Sequence, residues 1–344
     1  MSAGPTHSKK SFGQRLNSAL QVLATFGLAG AVVVTAATLG ARTWWVGDVL
    51  ANLRIQILLA LLPLLLLTLG LRSYRQLGLV LALLLWHGSF LRSAVIPAVA
   101  RESNSSAAMP AALDQPVQTL SICLANVWMG NTDYPRICNT FRESRADLLA
   151  VVELSDGLQA AIDAQFAAEY PYFLAKANET GAFGIGLWSR YPLAQAKFVN
   201  FAVREMPSIF AEVEVGDRRT RIIVTHPVPP IFAVAWKYRN DHLQAMVNDS
   251  EIKWSEKSPM RTVIVGDFNL TPWSPLYSQL LEDVGLLDAA AGAGVTPTWY
   301  RWPLFPCGLV LDHVWYSPNL RCLQRRILPE MGSDHRPVFV EFGL

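Results

Sequence analysis

The first hundred residues contain long apolar runs, whereas the rest of the chain alternates between short apolar runs and mixed stretches. Two of these runs, 16–41 and 55–71, carry no charge, and a third begins at residue 77 and is interrupted by His87 and Arg92. A helix needs about 20 apolar residues to cross a membrane. The pattern predicts a membrane region over residues 17–100, after a tail of residues 1–16. Its three transmembrane helices are expected at about residues 17–41, 54–71 and 77–97.

Two other interpretations account for the apolar runs less well. A cleaved signal peptide would explain the first run, but that run is longer than a typical signal core and two more follow it. Buried helices of a soluble core would explain all three, but three such runs in succession disfavour this. We therefore expect a multi-pass protein of the inner or plasma membrane.

Charge divides the chain at the same place. Residues 1–102 contain nine Lys or Arg and two Asp or Glu, a net charge of +7, whereas residues 103–344 contain 20 and 25, a net charge of −5. Basic residues in short flanks favour the cytoplasmic side, so the basic positions in 9–15 and 72–75 predict a cytoplasmic N-terminus. Three crossings would then put the C-terminal part outside the cytoplasm. An acidic domain also lacks the basic footprint of a protein that grips long nucleic acid.

A Ser-, Ala- and Pro-rich stretch, residues 101–116, is predicted to be a linker. Residues 117–344 are long enough for one domain with a single substantial core. Their apolar runs predict strands mixed with helices, and neighbouring strands with short loops favour a mixed α/β sandwich over a parallel sheet. The four cysteines show no zinc-binding spacing and are interpreted as unpaired thiols, with a Cys307–Cys322 disulfide as the alternative.

Polar residues able to carry chemistry fall at the ends of the predicted strands. Strand ends that converge on one edge of a sheet can gather distant residues into a site. Eight residues occupy such positions: Asn126, Glu153, His226, Asp267, Asn269, Asp312, Asp334 and His335. His242 and His313 are interpreted as structural, on a helix surface and beside a strand.

The order of the surrounding motifs resembles that of the endonuclease/exonuclease/phosphatase superfamily. These motifs are LANVW, VVEL, LWSRYPL, VTHP, VGDFN, LDHVWYS and GSDHRP. The superfamily includes nucleases of the DNase I type, sphingomyelinases, inositol-phosphate phosphatases and bacterial membrane phosphatases. The resemblance spans residues 117–344 and implies a four-layered α/β/β/α sandwich, DNase I-like, behind the three helices. It also implies a metal-dependent hydrolase of phosphoester bonds.

Hydrolysis of a phosphoester needs a nucleophilic water and neutralisation of charge on the phosphoryl oxygens, and a divalent cation supplies both. Mg²⁺ takes hard oxygen ligands and keeps several waters, so one or two carboxylates suffice. Mn²⁺ is the alternative cation. Glu153 is the first predicted ligand. The resemblance implies that Asn126 assists it, and Asp334 is expected to bind the metal directly or through water.

The remaining site residues are assigned to the reaction itself. Asp267 and Asn269 lie two residues apart, so they share a face of an extended segment. Asp267 is expected to orient or deprotonate the attacking water, and Asn269 to bind a phosphoryl oxygen. The resemblance implies that Asp312 pairs with His335, whose protonated ring would stabilise the transition state. His226 is expected to be the second imidazole that donates a hydrogen bond to the phosphate.

Two apolar stretches flank these residues, 227–236 and 296–311. An aromatic, proline-rich rim suits a bilayer interface or a lipid tail, so Trp299 and Trp302 are predicted to bind substrate, and Arg239 to reach its phosphate. The motifs GDFNLTPWSP and PTW…LDHV are similar to those of a bacterial membrane-anchored subgroup, some members of which are linked to dephosphorylation of undecaprenyl pyrophosphate. A lipid-linked phosphate ester is therefore favoured. The alternatives are an extracytoplasmic nuclease, a phospholipase- or sphingomyelinase-type phosphodiesterase and a catalytically silent membrane scaffold.

Overall fold

The computed structural model describes residues 11–96, 118–203, 205–257, 259–300 and 307–344. The predicted linker lies outside these ranges, as does Trp302, which is predicted to bind substrate. The chain divides into two compact units, Met1–Leu91 and Arg92–Leu344. The predicted division at residues 100 and 117 stays a prediction.

The first unit is helical. Its helices are α1 (Phe12–Thr38), α2 (Trp45–Asn52), α3 (Arg54–Gly70) and α4 (Tyr74–Ser89). Ser11 begins α1 with a capping box, in which the Ser11 and Gln14 side chains each accept a hydrogen bond from the other residue's backbone amide. A small apolar core joins three of the helices through Leu28, Leu61 and Val80.

The prediction of three transmembrane helices is not supported. Among the described residues, α1 alone is long and apolar enough to cross a membrane, or two spans qualify if α2 and α3 are counted together as one. That pair is bent by 70°. The helix α4 ends at Ser89, before Arg92, and only a short α5 (Arg92–Val95) follows. Apolar composition continues through these breaks, but the helices do not.

The second unit contains two mixed β-sheets, each six-stranded within the described part of the chain. One has the order β11-β12-β1-β2-β4-β3 and the other β5-β6-β7-β8-β10-β9. The strands are β1 (Thr119–Asn126), β2 (Leu148–Val152), β3 (Tyr172–Lys176), β4 (Ile185–Ser189), β5 (Leu193–Asn200), β6 (Pro207–Val215), β7 (Arg218–Thr225), β8 (Arg261–Asp267), β9 (Leu287–Asp288), β10 (Asp312–Tyr316), β11 (Arg321–Ile327) and β12 (Val338–Gly343). The helices are α6 (Tyr134–Ser144), α7 (Asp156–Phe166), α8 (Ala233–Asn248) and α9 (Pro275–Val284).

The two sheets pack face to face with helices on their outer faces. Successive side chains of a strand point to opposite faces, so Ile122 and Leu124 of β1 enter the core between the sheets. Cys123 and Ala125 enter a second core beneath α6 and α7. A third core lies between the other sheet and the helices α8 and α9. These layers confirm the four-layered α/β/β/α sandwich.

Strand direction brings the predicted site residues to one edge. The strands β1 and β2 run parallel, as do β7 and β8, so the residues at their carboxyl ends lie side by side. The strand β10 runs antiparallel to β8 and begins with Asp312 directly opposite Asp267. The strand β12 runs antiparallel to β1, which brings the segment before Val338 to the same edge.

Candidate active site

Asn126, the last residue of β1, lies at the centre of the site. Its side-chain amide nitrogen donates to Glu153 Oε1 at 2.8 Å and to Asp267 Oδ2 at 3.0 Å, and lies 3.4 Å from His335 Nε2. Its carbonyl Oδ1 accepts from the Trp128 amide at 3.0 Å. Asn126 is only 1 % exposed. One residue therefore links groups from both sheets.

Three residues at this edge have left-handed backbone conformations without being glycine. Trp128 has φ +54°, Glu153 has φ +60° and Asn269 has φ +50°. Asparagine visits this region readily, whereas the other two residue types seldom do. Such strain costs of order 1–3 kcal/mol for each residue and clusters at functional sites. Glu153 gains a compensating contact, because its Oε2 accepts from the Met129 amide at 3.3 Å.

The ring of His226 has its tautomer set by the backbone. Its Nδ1 lies 3.0 Å from the carbonyl oxygen of Ala182, and a carbonyl can only accept, so Nδ1 carries a proton. The other nitrogen, Nε2, faces two carboxylates, at 3.6 Å from Asp267 Oδ2 and 3.9 Å from Glu153 Oε1. A neutral His226 would therefore present a lone pair to the site.

Asp267 is buried and ends β8. Burial, more than any neighbouring charge, raises the pKa of its carboxyl group to about 6. Its Oδ1 accepts from the Asn269 amide at 2.9 Å, which closes the turn after the strand. The Asn269 side chain donates to the Pro227 carbonyl at 3.0 Å, so this turn is tied to the segment after His226.

His335 and Asp312 form a buried pair. His335 Nδ1 lies 2.8 Å from Asp312 Oδ2. Burial alone would lower the pKa of the imidazole, but the carboxylates of Asp312 and Asp267 outweigh burial and raise this pKa to about 10. Burial would likewise raise the pKa of Asp312, but the charge of His335 holds it below its usual value. The ring is therefore charged at neutral pH.

Within the described part of the chain, two groups of side chains each bring three ligand atoms within 4.8 Å of one another. One is Glu153, His226 and Asp267, and the other is Asp267, Asp312 and His335. The first group fits a divalent cation better, because the carboxylates of Glu153 and Asp267 face each other there and supply hard oxygen ligands. In the second, the imidazole Nδ1 already donates to Asp312. Hard carboxylate oxygens suit Mg²⁺ or Mn²⁺.

The other predicted site residues lie around this cluster. Asp334 is half-buried, and its Oδ2 accepts from the Trp299 indole at 3.0 Å. Arg239 is fully buried and donates to the Asn269 carbonyl at 2.9 Å, which supports the turn after β8. Metal binding by Asp334 and substrate contact by Arg239 and Trp299 stay predictions. Assistance to the metal by Asn126 also stays a prediction, since Asn126 presents its amide nitrogen to the carboxylates in this arrangement.

One histidine was placed wrongly by the sequence. His242 is not on a helix surface but fully buried on the inner face of α8, with Nε2 2.7 Å from Thr225 Oγ1. Sequence reasoning also gave no role to Ser333, whose Oγ donates to the Asn126 carbonyl at 2.9 Å and accepts from the His335 amide at 3.0 Å. A serine two residues before a candidate catalytic group is the signal that could have revealed this turn.

Solved structures of the same fold come from several organisms. An endonuclease/exonuclease/phosphatase of Beutenbergia cavernae is 19% identical with a TM-score of 0.54, over 66% of this chain and 72% of that one. The 3′ phosphatase NExo of Neisseria, bound to a product DNA hairpin, is 21% identical with a TM-score of 0.55, over 65% and 100%. The D. rerio TDP2, complexed with a single-stranded DNA product, is 16% identical with a TM-score of 0.53, over 66% and 100%. At these identities the likeness establishes the fold.

Sequence comparison supplies the family. No curated protein matches the chain significantly. The model of the Endonuclease/Exonuclease/phosphatase family matches residues 123–335, which is more than half of the chain and includes every residue of the cluster. The chain therefore belongs to the endonuclease/exonuclease/phosphatase family of metal-dependent phosphoester hydrolases.

Proposed function

We propose that this chain is a membrane-anchored phosphoesterase that uses Mg²⁺, with Mn²⁺ as the alternative, to hydrolyse a phosphate or pyrophosphate ester of a lipid-linked substrate. The observation that carries the hydrolytic part is the contact of Asn126 with Glu153, Asp267 and His335. Two carboxylates and an imidazole at such short distances suit a reaction in which the site stabilises negative charge and transfers a proton.

The carboxylates of Glu153 and Asp267 would hold the cation. Bound there, it would neutralise phosphoryl charge and acidify a water ligand. Asn126 would assist once its amide oxygen turned toward the site, and Asp334 would act directly or through a water. The fit rests on the facing carboxylates, which repel one another unless a positive charge lies between them.

The other residues would act on the substrate itself. Asp267 would position and deprotonate the attacking water. His335, kept charged by Asp312, would donate a hydrogen bond to a phosphoryl oxygen, where negative charge develops. His226 would donate a second such bond from Nε2 when protonated. Asn269 would bind another phosphoryl oxygen through its side chain.

A lipid-linked substrate, such as undecaprenyl pyrophosphate, is supported by the surface next to the site. The uncharged segment after His226 leads into α8 and leaves Ile231, Phe232, Val234 and Tyr238 exposed. Several exposed apolar side chains within one segment that follows a catalytic residue suit contact with an apolar ligand or a bilayer. Residues 103–344 are also net negative, which disfavours binding to nucleic acid.

Anchoring is supported by the length of α1, because a helix of 27 residues is longer than the roughly 20 residues needed to cross the bilayer core. We propose that α1 remains in the inner or plasma membrane and that the catalytic unit lies outside the cytoplasm. A reporter that works only in the cytoplasm, fused after Leu344, should then be inactive. An active reporter, or release of the chain from membranes by alkaline carbonate, would contradict this topology.

The activity is tested with the full chain purified in detergent. Polyprenyl pyrophosphate, sphingomyelin and DNA are offered side by side with Mg²⁺, and EDTA should abolish hydrolysis. His335→Ala and Glu153→Ala serve as inactive controls, each checked for an unchanged unfolding transition. Release of inorganic phosphate from the polyprenyl substrate supports the proposal. Cleavage of DNA alone would identify a nuclease, and release of a phosphorylated headgroup alone a phospholipase-type enzyme.

A further inference from the structure

Trp128 is a large aromatic residue on the rim of the active site, with 48% of its surface exposed. Its own amide donates to Asn126 Oδ1 at 3.0 Å, and the next amide, that of Met129, donates to Glu153 Oε2 at 3.3 Å. The two peptide groups on either side of its Cα therefore each contact a residue of the site. The base of this side chain cannot move without disturbing Asn126 or Glu153.

The backbone of Trp128 is strained, with φ +54°. An L-residue with a Cβ is disfavoured in this region, and glycine would adopt it without cost. The turn that imposes it is closed by the Asn131 amide, which donates to the Trp128 carbonyl at 2.8 Å. Strain of this kind persists where the surroundings over-determine it, and it is concentrated at functional sites.

Packing does not account for a tryptophan at this position. Its ring belongs to none of the three cores of the catalytic unit as far as the described residues define them. The ring rests on Gly130 instead, where an added Cβ would lie only 3.0 Å from it. A glycine there leaves room for the indole beside the turn, and the residue remains 48% exposed. The chain therefore carries a strained, exposed aromatic side chain where glycine would be the easier residue.

We propose that Trp128 is a substrate-binding residue whose indole contacts the apolar group esterified to the phosphate; this rests on the proposed function. Tryptophan provides a large, rigid apolar face at little cost in side-chain entropy. The alternative ligand for such a face is a nucleobase, but base stacking normally accompanies a basic groove. The net negative charge of residues 103–344 and the exposed Ile231 and Phe232 after His226 favour an apolar chain instead.

The test is a binding measurement on the full chain in detergent with Mg²⁺. Two probes are compared by calorimetry, farnesyl monophosphate and inorganic phosphate, because both offer the phosphoryl group and only the first an apolar chain. The variants are Trp128→Gly, which relieves the backbone strain, and Trp128→Phe, which keeps an aromatic ring. Arg145→Gly is the control, because Arg145 has φ +53° in an exposed helix cap before β2, at the opposite end of that strand from Glu153.

We expect Trp128→Gly to weaken farnesyl monophosphate binding about tenfold and to leave phosphate binding within twofold, with a melting temperature that is unchanged or higher. Trp128→Phe should restore most of the affinity, and Arg145→Gly should change neither ligand. Equal losses for both probes would show that Trp128 only supports Asn126 and Glu153, and would overturn the inference, as would no loss for either. A short oligonucleotide is titrated as a third probe, and a loss confined to it would overturn the inference in favour of base stacking. Because binding needs no turnover, a chain that binds but does not hydrolyse would refute the proposed function alone.

Discussion

Replacing His242 by glutamine should remove part of the acid sensitivity of the catalytic unit. The His242 ring is fully buried, with Nε2 2.7 Å from Thr225 Oγ1, and it lies nearly perpendicular to the Phe201 ring with the two ring centroids 5.6 Å apart. Its Nδ1 has no hydrogen-bond partner within the described part of the chain. Burial without a counter-charge lowers the pKa of His242 to about 3. The folded protein therefore keeps this imidazole neutral.

The direction in which stability changes with pH follows from the pKa of His242 in the unfolded and folded chain. The unfolded chain takes up a proton at His242 below about pH 6.5, whereas the folded chain does so only near pH 3. Stability is thus constant above pH 6.5 and falls as the pH decreases toward 3, because protons bind preferentially to the unfolded state. Between pH 7 and pH 5 the loss attributable to His242 amounts to about 2 kcal/mol.

Urea denaturation followed by tryptophan fluorescence measures this loss. Other groups also titrate, so the informative quantity is the difference between wild type and His242→Gln at each pH. Glutamine keeps a polar atom near Thr225 and does not titrate. The wild type should lose about 2 kcal/mol more than the variant between pH 7 and pH 5. A difference that stays constant across this range would refute the assignment of a neutral buried histidine.

Three further predictions concern the site and its support. Asp312→Asn should lower kcat by roughly two orders of magnitude or more, because it removes the charge that keeps His335 protonated; steady-state kinetics retaining a tenth of the activity would contradict this. Glu153→Gln should raise the Mg²⁺ concentration for half-maximal activity about tenfold or more, while Glu143→Gln on the exposed face of α6 should not; equal effects would remove Glu153 from the metal site. Arg239→Met should lower the free energy of unfolding by roughly 2–4 kcal/mol, because the partly buried Asn269 carbonyl loses the hydrogen bond that Arg239 donates, and an unchanged urea midpoint would argue against this support.

The layered fold was predictable because strands buried on both faces have a clear signature. Leu148, Ala150 and Val152 of β2 face one core, and Leu149 and Val151 face another, so the strand is a continuous apolar run. The convergence of polar residues was predictable for the same reason. Asn126, Glu153 and Asp267 stand where such a run stops, whereas Asp312 begins β10 and His335 comes just before β12. Both kinds of strand end meet at one edge of the sandwich.

Other features depend on long-range geometry that composition does not encode. Apolar content alone could not show that the helix breaks at Leu53 and again after Ser89, so the number of spans was overestimated. The inward face of α8 is weakly patterned, which hid the burial of His242. The conformation of Trp128 belongs to a turn closed by the Asn131 amide, and the Trp128 and Met129 amides are held by Asn126 and Glu153, whose other partners lie far away in the sequence.

The side chains of Asn126 and His335, which lie 209 residues apart in the sequence, are 3.4 Å apart in the site. The strand β12 pairs with β1 in the middle of its sheet. A growing polypeptide therefore cannot assemble the site until residues 335–343 have left the ribosome, because β1 lacks its neighbour β12 until then. Nascent or prematurely terminated chains should be inert toward phosphoesters. Hydrolytic activity should then appear only in molecules whose synthesis has passed this point.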